Sequence, residues 1–223
     1  MSWPRQLAQR TSPTIRIALV AVFTALSLGT NYAMIDLWNI KLMDSLIFIA
    51  AFLFGLQVGL GTAVSTWVVY GFLNPYGQDD PVLLAFLISG ECFYAVAGAL
   101  LSRATITKDL LKTNQQQSPN GRLANPNDRL SQLRGFLMPY GKMSLLFGLI
   151  GFQATFAYDI LTNFGSWVFK TTSLYQAFLI GIITGVPFAI LHETSNLIFF
   201  ATVVPLGIVT ARRLGLVGYQ KSQ

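Results

Sequence analysis

Apolar residues occur along this chain in long blocks separated by short polar breaks. The blocks run from about Ile15 to Ile35, Leu42 to Leu73, Pro81 to Leu101, Met143 to Phe169 and Leu174 to Val209. A helix that crosses a membrane needs about 20 apolar residues, within a range of roughly 17–25. The first and third blocks fit that length as single helices, and the fourth, slightly longer, also reads as one. The second is too long for one upright helix, and Gly55, Gly59 and Gly61 at its middle predict a tight turn between two short ones. The last block would reach about 54 Å as one helix at a rise of 1.5 Å per residue. Gly185-Val186-Pro187 therefore reads as a break. A short outer segment over 174–185 precedes it, and a sixth helix from Pro187 to Arg212 follows, with proline in its first turn.

Charge orients these elements. Only 11% of residues are charged, against about 25% in a soluble domain, so most of the surface is suited to lipid. Cytoplasmic loops collect Lys and Arg. With the N-terminus, the C-terminus and residues 103–142 all inside, only Lys41 and Lys170 of the 15 Lys and Arg residues lie outside. That arrangement requires an odd number of spans between residue 41 and residue 103, which two short helices and the Pro81–Leu101 helix supply. The same clustering explains the net charge of +6 without invoking nucleic acid. Arg5, Arg10 and Arg16 resemble the basic start of a signal peptide, but the block after them is long enough to span and lacks an A-x-A-type cleavage site. It is expected to be retained as the first helix.

The fold expected is thus an all-α membrane protein, a bundle of six transmembrane helices with both termini cytoplasmic. Residues 1–223 form a single membrane domain in the cell membrane. Residues 103–140, with Asn114-Gln115-Gln116-Gln117-Ser118-Pro119-Asn120-Gly121 and Asn125-Pro126-Asn127-Asp128, read as a flexible cytoplasmic linker between helices 4 and 5.

Three acids stand inside apolar blocks: Glu91, Asp159 and Glu193, the last beside His192. A charged side chain near a helix centre costs about 2.5–3.5 kcal/mol on insertion scales, so these groups should face the bundle interior or a wet cavity. Thr155, Asp159 and Asn163 recur every four residues and share a helix face, as do His192 and Asn196. By depth, all converge on a cavity open to the outside. Trp67, Tyr70, Asn74, Tyr76, Tyr94 and Trp167 lie at or above that level. Aromatic walls with a few convergent polar groups describe a small-molecule site. The blander alternatives are acids satisfied between helices and aromatics that form an interfacial belt.

Other chemistry finds little support. No G-x-x-x-x-G-K-[ST], H-E-x-x-H or G-x-S-x-G pattern occurs. One His and one Cys make a zinc or copper site improbable. An intramembrane aspartyl dyad has only residue types in its favour.

Several stretches together resemble the substrate-binding S component of an energy-coupling factor (ECF) vitamin transporter. Ala18, Ala21, Ala25 and Gly29 form a small-residue stripe on the first helix. Lys41-Leu42-Met43-Asp44 opens the second, and Asn74-Pro75-Tyr76-Gly77 follows the third. Tyr158-Asp159-Ile160-Leu161-Thr162-Asn163 is similar to a Y-D-x-L-T-N stretch of the fifth helix. Gly185-Val186-Pro187, then His192 and Ser195-Asn196, is similar to the entry of the sixth. The 103–140 linker is long for that family.

The resemblance implies a binding subunit without catalysis or cofactor of its own. It would capture a vitamin-like molecule outside and topple in the membrane to release it inside. Its partners would be the lipid bilayer, a membrane coupling protein that docks on the Ala18–Gly29 stripe, and two ATPases. The substrate site would comprise Glu91, Asp159, Asn163, His192, Glu193 and Asn196, with Trp67, Tyr70, Asn74 and Tyr94 as walls, and the excess of acid would suit an amine or cationic ring. The rivals are a stand-alone carrier driven by protons, for which buried acids and His are the usual relay, and an intramembrane enzyme.

Overall fold

A computed structural model describes residues 12–75, 77–116 and 128–216. Those residues form seven helices and no strand. Helix α1 spans Pro13–Ala33, α2 Met43–Phe54, α3 Leu56–Phe72 and α4 Pro81–Arg103. Helix α5 spans Thr105–Gln116, α6 Asp128–Gly165 and α7 Leu174–Arg213.

Local chemistry sets the boundaries. Ser12 starts α1 by accepting the Ile15 N–H at 3.3 Å, and Asp80 starts α4 by accepting from Val82 N–H at 2.8 Å. Each cap is followed by proline at the first helical position, where the missing N–H removes nothing. Helix α2 stops at Gly55, whose φ of 96° is open to glycine and strained for other residues. Helix α3 starts at the next residue, so the hairpin predicted from the glycine cluster exists. At Gly59 a Cβ would fall 3.0 Å from the Ala51 Cα, so the two helices touch just past the turn.

At 12 residues, α2 is about 18 Å long, shorter than a hydrocarbon core of about 30 Å. It is nonetheless the centre of the bundle, with most of its residues buried. Phe48 and Phe52 of α2 meet Phe147 of α6, and Phe48 meets Phe200 of α7, with ring centroids 5.1–5.8 Å apart. Helix α4 closes on α2 because Gly98 rests against the Phe48 carbonyl oxygen. Gly98→Leu is therefore expected to lower stability by at least about 1–3 kcal/mol through overpacking. A thermal melt of the detergent-solubilised protein checks this, and an unchanged melting temperature would contradict the packing described.

The outer shell is apolar. Ile17, Leu100, Leu145 and Ile183 leave 64–70% of their surface outside the bundle, while Asp44, Glu91, His192 and Asn196 are 0–2% exposed. Among the described residues four helices are long and apolar enough to cross a membrane: α1, α4, the Tyr140–Gly165 part of α6, and α7. These features mark a membrane protein.

One expectation fails. Helix α7 runs unbroken through Gly185-Val186-Pro187, with Pro187 and Pro205 inside it. A proline removes one backbone hydrogen bond, whereas a break inside lipid would strand several polar groups, so continuity is cheaper. Helix α5 and the start of α6 lie at the two ends of the 103–140 segment. Its residues 117–127 lie outside those described.

Contacts between connections show how the helices alternate. Asn39 Nδ2 donates to the Phe188 carbonyl at 2.9 Å, and Tyr32 OH donates to the Leu73 carbonyl at 3.1 Å. The last turn of α1 thus sits beside the end of α3, and the α1–α2 connection beside the second quarter of α7. At the opposite end, Arg16 of α1 donates to Gln57 at the start of α3.

Candidate functional site

A polar chain runs through the middle of the apolar bundle. Its centre is His192 on α7. The Nδ1 of His192 lies 2.8 Å from Asp159 Oδ1 of α6, and its Nε2 lies 2.8 Å from Asp44 Oδ2 of α2. Both carboxylates present acceptors, so two protons must lie along these contacts. Either the ring is imidazolium, donating from both nitrogens, or one carboxyl group carries the second proton.

One turn further along α7, Asn196 Nδ2 stands 2.6 Å from Asp44 Oδ2, 2.8 Å from Thr155 Oγ1 and 3.2 Å from Tyr94 OH. Tyr94 OH donates to Thr155 Oγ1 at 3.0 Å, and Thr155 passes a bond to the Gly151 carbonyl at 2.8 Å. Helices α2, α4, α6 and α7 are tied together through one set of buried side chains. The spacing that puts Thr155 with Asp159, and His192 with Asn196, on common faces is what assembles it.

Beside this chain opens a cavity of about 580 Å³, within the usual 300–1,000 Å³ range of small-molecule sites. It lies under the α1–α2 and α3–α4 connections. Trp67 and Tyr70 of α3 wall it, with ring centroids 5.7 Å apart, and Tyr158 and Asp159 of α6 face it from the other side. Asn31, Lys41, Asn74, Asp79, Thr162 and Asn163 are among its other polar lining residues. Asn163 reaches the wall because α7 has only Gly185 where its amide packs.

Lys41 Nζ sits 4.6 Å from the Trp67 ring centroid and 5.5 Å from that of Tyr70. Burial pushes this lysine below its ordinary pKa, and the carboxylates of Asp44 and Glu91 draw it back up. Burial raises Asp79, while Lys41 and a hydrogen bond from Asn74 oppose that rise.

The predicted site residues divide accordingly. Asp159, Asn163, Trp67, Tyr70 and Asn74 line the cavity. His192, Asn196 and Tyr94 stand behind it in the buried chain. Glu91 is also behind the wall, where its Oε2 accepts from Trp67 Nε1 at 2.9 Å and fixes the indole. Glu193 joins neither group. It is half-buried on a different face of α7 and makes no hydrogen bond with a described residue, as the 100° between adjacent helical positions requires. Trp167 does not line the cavity, and Tyr76 lies outside the described residues.

Asp44, Lys41, Asn31 and Asp79 were missed. Asp44 and Lys41 stand at the start of an apolar helix, a position that reads as capping and orientation. Ala18, Ala21, Ala25 and Gly29 are exposed on α1, and nothing lies within 4 Å of a Cβ placed on Gly29. Among the described residues no group of His, Cys, Asp and Glu could hold a metal ion. No family model, curated protein or solved structure matches this chain.

Proposed function

We propose that this chain is the substrate-binding membrane subunit of an ATP-driven ECF-type importer for a vitamin-like small molecule. The observation that carries the reading is the cavity: an aromatic-walled chamber inside a membrane bundle, with Asp159 in its wall and a hydrogen-bonded chain holding that acid from behind. Such a chamber suits tight capture, because its polar groups are pre-positioned and need little reordering on binding.

In this reading six spans cross the cell membrane, α2 and α3 counting as two short ones. Both termini and the 103–142 region are cytoplasmic, following the distribution of Lys and Arg, and the cavity faces outside. The coupling protein docks on the exposed stripe of α1, and two ATPases supply the nucleotide chemistry. Toppling of the subunit in the membrane delivers the captured molecule inside.

Native mass spectrometry of protein purified gently from its source membrane tests the capture step. A stoichiometric small molecule should co-purify. Asp159→Asn should weaken its binding at least tenfold, equivalent to about 1.4 kcal/mol. Unchanged affinity removes Asp159 from the site, and the absence of any co-purifying molecule counts against tight capture.

One observation favours a second reading. The Asp159–His192–Asp44 chain leads from the cavity wall into the bundle, as a proton relay of a stand-alone secondary carrier would. Uptake that collapses with an uncoupler yet survives loss of the ATPases would select the carrier.

A further inference from the structure

Four atoms on the cavity wall have bonding capacity that the bundle does not use. Asp159 is 6% exposed, and while its Oδ1 is held by His192, its Oδ2 has no partner among the described residues. Asn31 is 3% exposed. Its amide nitrogen donates to Met43 Sδ at 2.7 Å, which leaves Oδ1 unpaired. Both atoms are hydrogen-bond acceptors on the same chamber. The third is Lys41 Nζ. It lies over the Trp67 and Tyr70 rings but makes no ion pair or hydrogen bond with a described residue. Asp79, the other carboxylate on the wall, takes a hydrogen bond from Asn74, and its Oδ2 is a fourth such atom, an acceptor with no hydrogen-bond partner among the described residues.

An ammonium withdrawn from water needs an anionic acceptor, and a buried carboxylate oxygen needs a donor. The amphiphilic walls between them are planar and aromatic. Resting on the capture reading above, we infer that the cavity takes an amphoteric small molecule with a ring, whose carboxylate pairs with Lys41 while an N–H group donates to Asp159 Oδ2 and Asn31 Oδ1. An amine or cationic ring alone, which the excess of acid suggests from sequence, would bring no acceptor of its own to the ammonium of Lys41 and would add a like charge beside it.

Matched sets of compounds that share one ring separate the charges. Binding to the purified full chain in detergent would be measured for tyrosine, tyramine and 3-(4-hydroxyphenyl)propionate. The same measurements would be made for tryptophan, tryptamine and indole-3-propionate, and for histidine, histamine and imidazole propionate. In at least one set the amino acid should bind at least tenfold more tightly than both relatives. Lys41→Met should cancel its advantage over the amine, Lys41→Arg should preserve it, and Asp159→Asn should cancel its advantage over the acid. An amine that outranks its amino acid, binding by none of the nine compounds, or a preference untouched in Lys41→Met would overturn the inference. The wild-type ranking decides the matter even if Lys41→Met fails to fold. Uptake that depends on the ATPases but shows no amphoteric preference would remove this ligand class and leave the importer reading standing, whereas uptake independent of them would do the reverse.

Discussion

Replacing His192 with alanine is expected to lower the stability of the folded protein by about 3–5 kcal/mol, the cost typical of breaking a buried ionic network by removing one member. Among the described residues the imidazole alone contacts both Asp44 Oδ2 and Asp159 Oδ1, and both acids are almost fully buried. Without it, two carboxyl groups from α2 and α6 face each other across a cavity in an apolar bundle. Either they stay charged and repel, or they take up protons and lose their acceptor geometry. Denaturant unfolding in detergent measures the loss. The same substitution in an Asp44→Asn, Asp159→Asn background should cost much less, because no carboxylate then needs a partner. If His192→Ala were equally damaging in both backgrounds, the effect would be a cavity effect and the ionic account would fail.

That network also shows how far the sequence can be read. Apolar length alone locates α1, α4, the membrane part of α6, and α7, since lipid imposes a minimum span. The Gly55 turn follows from charge, because only an extra crossing brings the basic segments to one side. Helical periodicity groups Asp159 with Thr155 and Asn163, and His192 with Asn196, and the fold brings these two faces together. Periodicity has no information about which faces meet, however. Asp44 joins His192 across 148 residues of sequence, and nothing local to Lys41-Leu42-Met43-Asp44 distinguishes a network member from a helix-start acid. Glu193 illustrates the converse error. Its type and depth match those of Glu91 and Asp159, but being adjacent to His192 it points elsewhere. Proline misleads in α7 for a related reason. Its cost is judged in water, whereas in lipid the alternative to a continuous helix is worse.

Trp at both Ala21 and Ala25 should abolish uptake while leaving small-molecule capture and thermal stability unchanged. The asymmetry follows from where α1 sits. Its Ala18, Ala21, Ala25 and Gly29 face outward, so indole rings there enter lipid and meet no neighbour within the chain. The cavity is lined instead by the last turns of α1 and the connection beyond it, from Asn31 to Lys41. Small residues allow a second helix to approach until backbones nearly touch, and two indoles would hold such a partner several ångströms away. Transport in reconstituted vesicles, alongside ligand binding and a melt on the same preparation, separates the outcomes. Full uptake by the double variant would deny the stripe any docking role and favour a carrier that works alone. Lost uptake with lost binding would instead mean that α1 shapes the cavity. Only lost uptake with intact binding and an intact melt assigns the exposed face of α1 to a partner in the membrane, because capture and energisation would then be carried by opposite faces of one helix bundle.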